Sequence, residues 1–280
     1  MKKLLRPKII KLSVFSLGFV VIMASALHQV HAAEVSPLLG YYSNDYWLLL
    51  GGSAHGKWLA PKEVAPRLAG RENYRVYTLG GPVSQTTGGK PGPWGDVDPE
   101  FLIRLKPVLK IKGPAVAVGG RWNAMPRQPR LLTDNPKPHS EAAAEILKSQ
   151  GIPDPKVNLT QVIEVDLEGD GTKEVVVSAT RFSKTEPGDS TQIGDYSLVF
   201  LQKKVGGVMS NMLIAGQFHT PGQTAASPAS TYRVGGLIDG NGDGVMEIVV
   251  IYTYYEGGGM RVYKLKEDQV EMVLGEDWGA

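Results

Sequence analysis

Residues 166–182 read DLEGDGTKEVVVSATRF, and residues 239–255 read DGNGDGVMEIVVIYTYY. The two stretches are offset by 73 residues and share eight of 17 positions: Asp166/Asp239, Gly169/Gly242, Asp170/Asp243, Gly171/Gly244, Glu174/Glu247, Val176/Val249, Val177/Val250 and Thr180/Thr253. Each runs from an acidic, glycine-punctuated loop into an apolar strand, and each then reaches a second apolar run, Tyr196–Leu201 or Met260–Leu265. Acidic turns followed by β-branched runs predict paired strands rather than helices. The first copy carries about nine extra residues in its hairpin, within SKTEPGDSTQIG.

The spacing inside the loops has a chemical reading. Oxygen-bearing side chains at positions 1, 3 and 5 of a tight loop converge on a hard cation such as calcium, with glycine at position 6 for the sharp turn. These are Asp166, Glu168 and Asp170 in the first copy and Asp239, Asn241 and Asp243 in the second. Position 7 offers a backbone carbonyl, from Thr172 or Val245, and position 9 a further carboxylate, from Glu174 or Glu247. Position 12 is Val177 or Val250, so the bidentate glutamate of an EF-hand is missing, and a strand follows instead of a helix.

The pattern D-x-[DN]-x-D-G-x-x-[DE] before an aliphatic strand resembles the calcium loop of FG-GAP repeats, also called VCBS repeats, which build integrin-type β-propellers and recur in secreted bacterial proteins. The resemblance covers the two hairpins. It implies that Asp239, Asn241, Asp243 and Glu247 ligate calcium, with Asp166, Glu168, Asp170 and Glu174 as counterparts and up to two ions in all. Glu168 departs from the pattern with a longer side chain at position 3. A full propeller needs four to eight four-stranded blades, more than the residues after 155 can supply. The expectation is a mainly β chain with two propeller-blade-like hairpins, affinity in the weak extracellular range of about 10⁻⁴–10⁻³ M, and calcium that clamps the fold.

Outward from the repeat, composition divides the chain. Residues 155–280 form the β-rich repeat region. Residues 124–154 hold AMPRQPRLLTDNPKPH, read as a proline-rich linker, and a short helix with Ser140 as N-cap, Gly151 at C′ and Pro153 beyond. Residues 33–123 read as a small β domain in which apolar runs end at glycine pairs: Tyr46–Leu50 at Gly51-Gly52, Tyr74–Leu79 at Gly80-Gly81, Ala115–Val118 at Gly119-Gly120. Pro61–Ala69 reads as a short helix, and Phe101–Lys112 as a strand broken at Pro107 whose alternating basic residues form a solvated face.

Residues 1–32 have the form of a secretory signal peptide: five basic residues (Lys2, Lys3, Arg6, Lys8, Lys11), an apolar run from Leu12 to Leu27, and small-x-small sites at Ala24-Ser25-Ala26 and Val30-His31-Ala32. That run is shorter than the about 20 residues a spanning helix needs, and no later run approaches that length. An exported chain, periplasmic, cell-surface or extracellular, is therefore expected, with no membrane span once the leader is removed. There is no cysteine, hence no disulfide framework. All five leader cations come from the 30 basic residues, leaving 25 against 28 acidic ones. That mildly acidic balance argues against nucleic acid as a partner.

Catalytic signatures are lacking. Three histidines remain beyond the leader (His55, His139, His219) with no H-x-x-x-H pair. Ser53 and His55 in GGSAHG read as a hairpin turn, since a G-x-S-x-G elbow needs glycine where His55 stands. The expectation is a non-enzymatic calcium-binding module that binds a glycan or a protein, with Tyr254 and Tyr255 as candidate contacts, or has a structural role, at the cell surface or in the periplasm. The alternative is a secreted polysaccharide hydrolase using carboxylates such as Asp96, Asp98 and Glu100 beside Trp94, with calcium only stabilising the fold.

Overall fold

The computed structural model describes residues 35–43, 45–95, 100–134, 136–184, 191–221 and 228–279; the expected leader at 1–32, together with Asp96 and Asp98, lies outside them. Strands dominate. β1 (Ser36–Tyr41), β2 (Trp47–Ala54), β3 (Lys57–Leu59), β4 (Asn73–Thr78), β5 (Gly81–Gly88), β6 (Gly92–Trp94), β7 (Glu100–Ile103), β8 (Leu105–Lys106) and β9 (Val116–Val118) form one antiparallel sheet, ordered β6-β7-β2-β1-β9-β4-β5-β8 with β3 also on β2. The run WLLLGG is apolar on successive residues because both faces of β2 are covered. Side chains alternate across a strand: Trp47 and Leu49 enter a core with Tyr74, Val76, Ile103 and Val64 of helix α1 (Pro61–Val64), whereas Leu48 and Leu50 face the opposite way, into a core shared with the rest of the chain.

The glycine pair expected to end β2 lies inside it. Gly51 has φ 126 at a register shift opposite Leu38 and Leu39, and a Cβ there would come within 2.4 Å of the Leu59 carbonyl. Glycine therefore permits the bulge rather than a stop. His55 sits in a hairpin turn between β2 and β3, while Ser53 lies within β2, paired with Trp58. Of the stretch 101–112 only β7 and β8 are strand.

The repeat region forms two further sheets. β10 (Arg130–Leu131), β11 (Leu159–Val165), β12 (Glu174–Arg181), β13 (Tyr196–Val205) and β14 (Val208–Phe218) pair in chain order, as do β15 (Thr231–Ile238), β16 (Glu247–Tyr254), β17 (Gly257–Lys266) and β18 (Gln269–Gly279). Each repeat thus gains a strand before the acidic loop and one after the hairpin, giving a four-stranded antiparallel meander with the loop between its first two strands. Helix α2 (Lys137–Ser149) seals the outer face of β11–β13 through Ala143, Ile146 and Leu147 against Val162, Val177 and Phe200. It begins before Ser140, with Pro136 as N-cap: Pro138 in the first turn lacks only an N–H that a helix start leaves unpaired anyway.

Residues 33–280 form one compact unit. Its main core takes Leu38, Leu48, Leu50 and Val116 from the first sheet, Val176, Val199 and Leu201 from the second, and Val234, Val249 and Val262 from the third. The stretch expected as a linker is packed into it: Ala124 and Met125 are buried, and the Ala124 N–H donates to the Tyr77 hydroxyl at 3.2 Å. No helix among the described residues is long and apolar enough to cross a membrane. Because the sheets share a core, fluorescence and far-UV circular dichroism are expected to report one coincident urea transition. Tyr77→Phe, which leaves the buried Ala124 N–H without its acceptor, lowers stability by about 1–3 kcal/mol in the same experiment.

Candidate functional site

Both acidic loops are closed by the same backbone bonds. In the second, Asp239 accepts the N–H groups of Gly242 (2.6 Å) and Gly244 (3.0 Å), Asn241 accepts that of Asp243 (2.9 Å), and Asp243 accepts that of Val245 (2.8 Å). In the first, Asp166 accepts from Gly169 (2.6 Å) and Gly171 (3.0 Å), and Asp170 from Thr172 (2.7 Å). These turns require left-handed backbone at positions 4 and 6, met by Gly169 and Gly171 and by Gly242 and Gly244, with φ between 77 and 89. At position 9, Glu174 and Glu247 are each 1% exposed. Each reaches back to accept a loop N–H, from Leu167 at 2.8 Å and from Gly240 at 2.7 Å.

Position 3 separates the copies. Asn241 stays within its loop, donating to Asp243 at 2.9 Å. Glu168 instead pairs with Lys203 of β13 at 2.5 Å, and Lys203 also donates to the Glu267 carbonyl at 3.0 Å in the turn after β17. The longer side chain thus reaches a neighbouring strand.

The electrostatics mark a deficit of positive charge. Burial pushes the Glu247 carboxyl up to about 8; the Gly240 N–H opposes that rise, and the charges of Asp243 and Asp239 add to it. Burial likewise raises Asp239, against the Gly242 and Gly244 N–H groups, and Glu174, whose Oε1 has no hydrogen-bond partner. A carboxylate offers about four lone-pair sites, so one N–H per oxygen does not exhaust these groups. An all-oxygen donor set with mutually repelling carboxylates suits a hard divalent cation. In their present rotamers the side chains close on loop backbone, and among the described residues no group of three or more His, Asp or Glu side chains converges on a metal position.

The stretch from Trp122 to Arg127, which runs from the end of the expected β domain into the expected linker, joins the two loops. Arg127 donates from Nε to the Asp166 carbonyl (2.5 Å) and from Nη2 to the carbonyls of Leu167 (2.8 Å) and Gly244 (2.7 Å). Trp122 donates from Nε1 to the Asp239 carbonyl (2.8 Å), and its carbonyl accepts from Arg75 at 2.7 Å. The Asp239 N–H donates to the Ala124 carbonyl and the Met246 N–H to the Leu167 carbonyl. Position 4 of each loop lies against this segment. A Cβ on Gly169 would meet the Arg127 guanidinium at 2.9 Å, and one on Gly242 the Trp122 ring at 3.1 Å. Nothing in RWNAMPRQPR reveals this role, because its acceptors are main-chain carbonyls, which every residue carries.

The other candidates scatter. Tyr254 stacks on Tyr252 at 6.4 Å, and Tyr255 is 67% exposed at the β16–β17 turn. Trp94 is 43% exposed near Tyr42, at 6.0 Å. His139 and His219 lie apart, bonded to Gln202 and Thr191.

Two outcomes follow from this geometry. Arg127→Met leaves the Asp166 and Gly244 carbonyls without their charged donor and is expected to cost about 2 kcal/mol in urea unfolding. In chelator, the raised Glu247 means that the folded state holds a proton the unfolded state releases. Stability is therefore full below the ordinary glutamate range and declines as pH rises from about 4.5 towards 8. Glu247→Gln is expected to flatten that decline in melting curves taken across the window.

No family model, curated protein or solved structure matches the chain.

Proposed function

We propose that this chain is an exported, non-enzymatic calcium-binding module that presents a surface for a glycan or a cell-surface protein. The observation that carries the reading is the recurrence of one acidic loop at the same place in two four-stranded meanders, β11–β14 and β15–β18, each with its position-9 glutamate buried. Asp239, Asn241, Asp243 and Glu247, with the Val245 carbonyl, would hold one ion. Asp166, Asp170 and Glu174, with the Thr172 carbonyl and Glu168 if it leaves Lys203, would hold another. Calcium supplies charge neutralisation there: it offsets the burial, and the smaller repulsion, that lift Glu247 and Asp239, and it stiffens two loops already tied to each other. Export rests on the pattern of residues 1–32.

Calcium titration calorimetry tests the reading. The chain is expected to bind up to two ions, Asp243→Ala to lose one and Asp170→Ala the other, with a higher melting temperature in calcium than in chelator. Because Glu247 holds a proton at neutral pH, binding is expected to release it, so the heat varies with the ionisation enthalpy of the buffer. No heat at millimolar calcium would reduce the loops to turns that clamp the sheets unaided.

A further inference from the structure

The loops occupy one end of the second and third sheets. At the other end, where β11 starts, β12 finishes and β15 begins, lies a cleft of about 700 Å³, within the size range of small-ligand sites. Its walls carry three cations: Lys156 before β11, Arg181 at the end of β12 and Arg233 on β15. Among the described residues, no carboxylate lines it and none of the three cations forms an ion pair. Phe182 and Tyr232 add aromatic surface, and Asn158 a neutral amide.

The cleft is built, not incidental. Gln161 crosses between the sheets, accepting the Val234 N–H at 2.8 Å and donating to the Val234 carbonyl at 3.1 Å, while Ser178 donates to its oxygen. The Tyr232 N–H donates to the Ser197 hydroxyl at 2.8 Å, and the Tyr232 ring stacks on Tyr252 at 5.3 Å and 23°. A wall held this way loses little freedom when a ligand arrives. Three cations without an ion pair among the described residues, within a chain whose residues beyond the leader are mildly acidic, select a discrete anion rather than a long polyanion. Guanidinium forks match carboxylate and phosphate oxygens in pairs. Aromatic rings accept a flat, partly apolar ring, and an amide serves hydroxyls.

We propose that this cleft binds a short acidic saccharide, its carboxylate or phosphate held by Arg181 and Arg233 with Lys156 nearby, and its ring packed on Phe182 and Tyr232. The proposal deepens the binding-module reading and uses no residue of the acidic loops.

The test titrates the chain with trigalacturonate, glucose 1-phosphate and neutral maltotriose, in saturating calcium and in chelator. One or both acidic sugars are expected to bind, more weakly as salt rises, and maltotriose is not. Arg181→Gln and Arg233→Gln are each expected to weaken binding about tenfold or more while the melting temperature stays put. Should either variant fold poorly, Lys156→Gln, on exposed irregular chain, is expected to show the same direction of change. Binding of trigalacturonate assigns the anion as a carboxylate, and binding of glucose 1-phosphate alone as a phosphate. The proposal is overturned if neither acidic sugar binds, if binding ignores these substitutions, if maltotriose binds equally well, or if a single-stranded oligonucleotide binds tighter than both. Calcium heats are read separately, so failure here leaves the loop reading standing, and the reverse.

Discussion

The short segment from Trp122 to Arg127 holds the two repeats in a common frame. Arg127 places one guanidinium on carbonyls of both acidic loops, and Trp122 and Ala124 bond the main chain of Asp239 on either side. Loop carbonyls are obligatory acceptors that neither sheet ladder can satisfy. A planar cation with several fixed donors meets more than one of them at once. That bridge adds to the direct bond from the Met246 N–H to the Leu167 carbonyl, so two loops 73 residues apart in sequence share a scaffold, and the first sheet joins through Arg75 and Tyr77.

Around this bridge the electrostatics are asymmetric. The bridging cation is spent on main-chain carbonyls, while burial raises the loop carboxylates, most of all Glu247, with the charges of Asp243 and Asp239 adding to it. The first loop relieves part of its charge internally, because Glu168 takes Lys203 as a partner. The second contains no cation, and its neutral Asn241 keeps the loop compact instead. The two loops are therefore alike in backbone and unlike in charge, and an added cation would gain more at the second.

The acidic loops and the basic cleft lie at opposite ends of the same strands. Strand direction alone separates them: the residues that open β11 and close β12 must lie far from the loop that joins those strands. The loop carboxylates gather at the β11–β12 and β15–β16 connections, while Lys156, Arg181 and Arg233 gather at the opposite end. A near-neutral net charge hides this separation, since it sums over the surface and not along it.

The residues themselves determine a good deal of this. Alternating and continuous apolar runs specify strands, and the doubled D-x-x-x-D-G-x-x-E spacing specifies two equivalent turns, because Asx caps and left-handed glycines are local interactions. The hairpin at Ser53–His55 and the helix around residues 141–149 are legible for the same reason. Tertiary structure decided the rest. Gly51-Gly52 continue β2 because cores on both of its faces stabilise the strand through a bulge, which no local propensity encodes. The proline-rich stretch after 123 is packed rather than slack, because its Arg127, like Trp122 just before it, finds backbone acceptors contributed by distant loops. Glu168 leaves its expected direction because Lys203, on a strand 35 residues away, lies within reach. The basic cleft has no sequence motif at all, since its three cations come from three separate strand ends. Local geometry is written in neighbouring residues; long-range partners exist only once the sheets have packed.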